Sequence, residues 1–320
     1  MTISGMRRLA AALAVASFFS ITATAQEYPQ KPIRFIVGPS PDVLARLIGE
    51  KLTTAWKQPV IIDQRTAASG LVAADAVAKA APDGYTLFLS TAADTINETL
   101  FARQKQYDLM RDLAPVTYLA SVPFFLVVPS SVQAGSLAEL IQMAKAKPGE
   151  VNYASPGSGS PPHMASEMLN TVAGVKITGI PYKTVPDALN DLLAGRVQVL
   201  FAVATVGMPQ VKAGKLRALA VSSAKRYSGM PDLPTVAETY PGFEVVGWYG
   251  VQTTARTPSA IINRLNVEIV RALNAPDVME RVKGLGLEPM GSTPEQFAAI
   301  IRQEVPKWAR VIRESNIRSE

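Results

Sequence analysis

The residues best suited to hold a ligand lie in a glycine- and serine-rich segment, residues 153–163, which reads YASPGSGSPPH. Gly159 and its small neighbours leave backbone N–H groups accessible, and Ser158 and Ser160 add hydroxyl groups. A helix predicted to begin at Pro161 would direct its positive end towards the same place. A carboxylate could accept several charge-assisted hydrogen bonds there. The composition alone favours an ordinary loop in which Ser160 is the helix N-cap.

His163 closes this segment and is the only histidine in the 320 residues. A serine hydrolase would need a nucleophile activated by the histidine and an acidic residue that orients it. The sequence has no G-x-S-x-G motif, and Ser160 stands only three residues before His163 at the same helix start. We therefore predict that the protein is not an enzyme and that His163 braces or caps the ligand loop. With one histidine and no cysteine, neither a metal site nor a cofactor is expected.

Three other segments that follow predicted strands offer polar groups. The segment RTAASG ends in Ser69 and Gly70. The segment STAADTIN contains Thr91 and Asn97, for which helix capping is an equally good explanation.

The third segment is the turn GPSPD, which contains Ser40 and Asp42 and joins the first predicted strand to the first predicted helix. The first N–H groups of a helix lack partners within it, so such a turn often holds an anion. Two prolines stand here where glycines would let the backbone approach a ligand. We predict that Asp42 is the helix N-cap.

These segments must be positioned by two series of alternating strands and helices, which predict parallel β-α-β units. Two long apolar segments, Val116–Val128 and Phe243–Gln252, separate the series and suggest two lobes with a two-segment hinge. The predicted fold class is α/β, each lobe being a mostly parallel sheet flanked by helices. Lobe 1 would comprise residues 26–122 and 247–320, and lobe 2 residues 123–246.

The N-terminus has the pattern of a secretory signal peptide. Arg7 and Arg8 precede the apolar segment Leu9–Ile21, which is too short to span a bilayer, and an A-x-A site ends at residue 25. We predict that residues 1–25 are removed and that the protein is periplasmic. Without these two arginines the formal charge falls from +6 to +4, and no basic run indicates nucleic-acid binding.

An ordered set of short motifs resembles a known family. The set looks like the tripartite tricarboxylate transporter substrate-binding proteins, the Bug family of periplasmic receptors, and it runs from Tyr28 to the last helix. The motifs that carry the resemblance are YPxKPIR at 28–34, QPVII at 58–62, PDGYTL at 82–87, AGKLRALAV at 213–221, PDxPTVAE at 231–238 and WYG at 248–250.

The resemblance implies a two-lobed periplasmic binding protein fold and a function in solute transport. Such a receptor binds a small carboxylate between its lobes and delivers it to integral-membrane permease subunits. It implies that Ser69 and Gly70 lie at the cleft and that Tyr182 and Thr184 stand where the second lobe approaches the ligand. A tyrosine whose hydroxyl is satisfied within the protein would equally explain Tyr182. We expect a monomer.

The turn after the first strand departs from the family pattern. The family sequence resembles Pro-x-x-Pro-Gly-Gly-x-x-Asp, whereas here Pro41 is followed directly by Asp42. About four residues and both glycines are missing, which removes backbone donors. The alternative hypothesis is therefore a periplasmic sensory or protein-binding partner of the same fold that has lost ligand uptake.

Overall fold

The structure is a computed structural model that describes residues 28–155, 157, 159–182 and 184–318. The predicted signal peptide and Ser158 lie outside these residues. The fold described below is that of the chain from Lys31 onwards. The strands are β1 (Ile33–Val37), β2 (Val60–Gln64), β3 (Thr86–Thr91), β4 (Leu113–Pro129), β5 (Asn152–Ser155), β6 (Thr178–Pro181), β7 (Leu200–Val203), β8 (Leu216–Val221), β9 (Val246–Thr254) and β10 (Glu288–Pro289).

The helices follow the local sequence signals. Leu44, Ile48 and Leu52 recur every fourth residue and form the buried stripe of the first helix. None of the helices in the described part of the chain is long and apolar enough to span a bilayer. The helices are α1 (Val43–Trp56), α2 (Leu71–Ala78), α3 (Ala92–Leu100), α4 (Leu109–Asp112), α5 (Leu137–Ala146), α6 (Pro161–Ala173), α7 (Val185–Leu193), α8 (Ala204–Lys212), α9 (Ser259–Leu273), α10 (Pro276–Gly284) and α11 (Pro294–Glu314).

The strands form a mixed sheet in the order β10-β4-β9-β3-β1-β2. β1 is parallel to β2 and β3, as the β-α-β pattern predicts. β9 is antiparallel to both β3 and β4. The core of this region includes Ile36, Phe88, Tyr118, Trp248 and Phe297, all of which are buried.

The long strand β4 connects this region to a second one. Its first part pairs with β9 up to Pro123, and its last part, from Phe124, pairs with β7 and β8. β5 and β6 form a parallel pair nearby. A second buried cluster, which includes Phe125 and Leu192, forms the core of this region. Two lobes that share a long strand are therefore confirmed.

Two helix starts were predicted only in part. The segment that begins at Ala92 was predicted as a polar stretch after β3, with helix capping as the alternative for Thr91; it forms helix α3, and Thr91 is its N-cap. Asp42 occupies the N-cap position of α1, yet its side chain does not cap the helix. Its Oδ2 accepts hydrogen bonds from Nε and Nη2 of Arg46 at 2.9 and 2.6 Å instead, so the capping prediction was wrong.

Candidate functional site

A cavity of about 340 Å³ lies between the lobes, beyond the carboxyl ends of β1 and β3. Open α/β sheets bind their ligands at such ends. One wall consists of the turn after β1, the segment that precedes α2 and the start of α3, and the opposite wall includes Pro161, Val185 and Val203. Phe88, Trp248 and other apolar side chains dominate the lining.

Helix N-termini from both lobes meet at this cavity. The first N–H groups of a helix are unsatisfied within it, and its dipole places partial positive charge there. No lysine or arginine is found among the described residues that line the cavity, so these helix ends are its main source of positive potential. A lining residue stands at the N-terminus or the N-cap of α2 (Gly70), α3 (Ala92), α6 (Pro161), α7 (Val185) and α8 (Val203).

Four of the predicted site residues line this cavity: Ser40, Ser69, Gly70 and Thr91. The hydroxyl oxygen of Ser40 is buried and has no hydrogen-bond partner within the described residues. Ser69 has a left-handed backbone with φ 52°, and Gly70 follows with φ 91°. These two residues turn the chain into α2, and a side chain at Gly70 would come within 3.3 Å of Pro39.

Asn97 and Asp42 have supporting positions instead. Asn97 lies on α3, and its Nδ2 donates to the carbonyl oxygen of Ser69 at 3.0 Å. This bond fixes the segment before α2 against α3, so Asn97 shapes the cavity wall without lining it. Asp42 is engaged by Arg46 and does not line the cavity.

The glycine- and serine-rich loop is held by its own polar groups. The Gly159 N–H donates to Nδ1 of His163 at 3.0 Å, which is the loop-bracing role predicted for this histidine. Ser160 caps α6 by accepting from the His163 N–H, and it donates to the carbonyl of Gly157 at 2.9 Å. A side chain at Gly159 would collide with Leu100 of α3, so glycine permits this contact between the lobes.

Tyr182 and Thr184 do not line the cavity. The Tyr182 hydroxyl donates to Asp191 at 2.8 Å, which is the internally satisfied arrangement considered as its alternative. Thr184 caps α7, since its side chain accepts from the Asp187 N–H and donates to the Asp187 carboxylate at 2.6 Å. Thr184 therefore positions the α7 N-terminus that reaches the cavity.

Asp94 lines the cavity and was missed as a site residue. It is 3% exposed, and its Oδ2 accepts from the Thr91 N–H at 2.7 Å. Burial raises the pKa of Asp94 to about 7, against the lowering effect of its hydrogen bonds from Thr91. The spacing of Thr91 and Asp94 matches a capping box, and this signal could have identified both the helix start and Asp94.

Trp248 was quoted in a motif but was not predicted to line the site. Its indole Nε1–H donates to Glu304 of α11 at 2.7 Å, and the Thr95 hydroxyl donates to the same carboxylate oxygen at 3.0 Å. This buried carboxylate thus joins β9, α3 and α11 behind the cavity. Burial raises the pKa of Glu304. The described residues contain no cluster of acidic and histidine side chains that could hold a metal ion.

The model of the TctC family, described as the tripartite tricarboxylate transporter family receptor, matches residues 44–317. The chain belongs to this family. BugT of Bordetella pertussis is 36% identical over 315 residues, which cover 95% of this chain and 97% of BugT. The family consists of solute-binding receptors, so this receptor is not an enzyme.

Solved structures agree with this assignment. An R. palustris protein solved with adipate is 33% identical, with a TM-score of 0.78 over 91% of this receptor and 99% of that chain. MatC from Rhodopseudomonas palustris, solved with bound malate, is 29% identical, with a TM-score of 0.74 over 89% of this receptor and 100% of that chain. The predicted two-lobed α/β fold is thereby confirmed.

Proposed function

We propose that this receptor is a periplasmic protein that captures a small carboxylate between its lobes and delivers it to the membrane subunits of a tripartite tricarboxylate-type transporter. The convergence of five helix N-termini on one cavity carries this proposal, because their dipoles, together with free N–H groups at those helices that do not begin with proline, attract a carboxylate without a lysine or an arginine. The structures with adipate and malate support a carboxylate ligand. The apolar lining favours a ligand with an apolar body.

A thermal-shift screen of dicarboxylates, aromatic acids and amino acids should reveal at least one stabilising carboxylate. A ligand at a hundredfold excess over its Kd stabilises the folded state by about 2.7 kcal/mol. We expect neutral amides of the same acids to have no effect, since they lack the charge that the helix N-termini attract.

The variants Ser160→Ala and Ser136→Ala test whether the cavity is the site. Each removes a serine N-cap, from α6 and α5 respectively, and each should cost about 1 kcal/mol of stability. Of these two helices, only α6 begins at the cavity. We therefore expect Ser160→Ala, but not Ser136→Ala, to weaken carboxylate binding. Equal affinities for both variants would contradict this assignment.

The ligand should also close the cleft. We propose that lobe 1, residues 26–122 and 247–320, closes on lobe 2, residues 123–246, by bending where β4 and β9 pass between them. Small-angle scattering with the carboxylate found in the screen should show a smaller radius of gyration. Identical profiles with and without that ligand would count against closure.

Export is a separate part of the proposal. We propose that residues 1–25 are a signal peptide and that the mature receptor begins at Gln26, on the basis of Arg7, Arg8 and the short apolar segment after them. Intact-mass analysis of protein released from the periplasm should show that residues 1–25 are missing. A retained N-terminus would disprove the export model.

The shortened turn after Pro41 supports one rival function, a sensory or protein-binding partner that has lost ligand uptake. The cavity persists despite this shortening, and Gly38, Pro39 and Ser40 still line it. A screen in which no carboxylate stabilises the protein would favour the rival.

A further inference from the structure

The cavity contains one charged group whose role is not explained by carboxylate binding. Among the described lining residues, Asp94 alone has a side chain that can carry a full charge at neutral pH. It lies at the start of α3, where it faces Gly70 of the adjoining wall. An anionic ligand attracted by the helix N-termini would therefore meet an acid.

Asp94 has no cationic partner within the described part of the chain. It accepts hydrogen bonds from Thr91 alone. The nearby titratable groups are Glu98 on the same helix and Tyr107 from the segment after it. Glu98 is itself paired with Lys105 at 2.8 Å, so this lysine is engaged elsewhere.

A further acid near Tyr107 lies on a neighbouring helix. Asp75 of α2 acts on the buried Tyr107 hydroxyl and is paired with Lys79 at 2.8 Å, so this lysine is engaged as well. A buried carboxylate without a cation is costly, and burial accordingly holds the pKa of Asp94 near 7. A cation that entered the cavity would remove this cost.

We propose that the cavity selects a solute that carries an ammonium-type cation in addition to its carboxylate, with the cation placed against Asp94. This inference rests on the proposed carboxylate-binding function and specifies the ligand class. The second lobe would receive the carboxylate through the Val185 N–H and the positive end of the α6 dipole, since Pro161 and Pro162 have no N–H to donate. Phe88 and Trp248 line the same cavity, and aromatic rings attract cations.

The arrangement also disfavours a dicarboxylate that reaches both walls. Its second carboxylate would lie near Asp94, and two close carboxylates cannot both remain ionised at low cost. An unsubstituted monocarboxylate would leave Asp94 unpaired. A zwitterion of the amino-acid type is the ligand that satisfies both ends of the cavity.

Titration calorimetry with pairs of probes that differ only in the terminal group tests this selectivity. The probes are ω-amino acids and dicarboxylates with matching chains, such as 4-aminobutyrate and glutarate, together with α-amino acids and the unsubstituted acids. We expect the tightest binder to carry an ammonium group. If carboxylates bind but the tightest is a dicarboxylate or an unsubstituted acid, the inference fails while the proposed function stands. If no carboxylate binds, both fail.

The variant Asp94→Asn should reverse the preference for ammonium-bearing probes over dicarboxylates. The amide oxygen can still accept from the Thr91 N–H, so the start of α3 is retained. Loss of the charge should weaken ammonium-bearing probes by about 10–100-fold and tighten dicarboxylates by about tenfold. Asp187→Asn is the matched control, because Asp187 has the same position after the N-cap of α7 but is exposed and outside the cavity. Unchanged affinities in Asp94→Asn would overturn the proposal.

The pH dependence of the affinity for an ammonium probe is an independent test of the role of Asp94. An ammonium probe binds the ionised form of Asp94, so between pH 6 and pH 8 its affinity should rise by about tenfold for a group with a pKa near 7. The affinity of Asp94→Asn for the same probe should not change between pH 6 and pH 8. An affinity that instead falls over this range would show that a protonated Asp94 donates to a ligand carboxylate, which contradicts the cation site.

Discussion

At pH 8, Asp94→Asn should increase the free energy of unfolding of the ligand-free receptor by about 2–4 kcal/mol. At pH 4, the same substitution should leave the free energy of unfolding nearly unchanged. The pKa of Asp94 rises from 3.8 to about 7 on folding because the side chain is buried in the cavity wall. Each pKa unit corresponds to about 1.4 kcal/mol. The stability contributed by the protonated group is therefore present below its unfolded pKa and is lost as the pH rises through 7.

Urea unfolding at pH 4, 6 and 8 measures this difference. Glu304 also has a raised pKa, but it is identical in both proteins and cancels when the two are compared. Asp187→Asn provides the control, since Asp187 has the same position after a helix N-cap but is exposed and outside the cavity. A wild-type protein as stable as Asp94→Asn at pH 8 would show that Asp94 is solvated or paired.

The cost of burying the Asp94 carboxylate should favour the binding of ligands that neutralise it. The free energy that Asp94 costs the empty receptor becomes available to a ligand that neutralises it, and this raises the affinity for such a ligand. The same replacement should therefore strengthen the fold and weaken the capture of cationic solutes. Observing both effects in one variant would connect the stability of the receptor with its specificity.

The two-lobed α/β fold was predicted because many of its signals are local, but the prediction that each lobe is a mostly parallel sheet was wrong, since β4 and β9 pair antiparallel with their neighbours. The apolar segment that became β1 is bounded by polar residues and a Gly-Pro turn, and α6 begins after a serine cap with two prolines. The long apolar segments became β4 and β9, which join the lobes. Such patterns depend on neighbouring residues and can be read without tertiary information.

The candidate site was only partly predictable because cavity lining depends on contacts between distant segments. Only the capping alternative for Thr91 pointed to helix α3, because Thr95 and Asn97 are weak helix formers, and both are buried by packing against residues far away in the sequence. Asp94 looks like an ordinary capping residue until that packing buries it. Asp42 has the sequence of an N-cap, but Arg46 one helical turn later competes for its carboxylate.

Restoring the missing turn should strengthen carboxylate binding more than any single substitution. The resemblance implies a Pro-Gly-Gly-x-x-Asp turn at this point, and the corresponding insertion would lie between Pro41 and Asp42. Two added glycine N–H groups directed at a carboxylate would contribute about 1.5–3 kcal/mol each. The Kd of the carboxylate found by the screen should therefore fall by about 100-fold or more.

The structure favours the insertion because the adjoining residues already line the cavity. Gly38, Pro39 and Ser40 form part of its wall, and the buried Ser40 hydroxyl oxygen lacks a hydrogen-bond partner within the described residues. An insertion of equal length with alanines in place of the glycines controls for loop length, since alanine rarely adopts the left-handed backbone. Calorimetry on the three proteins should show tightening only with the glycines. If the unmodified receptor already binds a dicarboxylate with sub-micromolar affinity and the insertion abolishes that binding, the turn does not supply the missing donors.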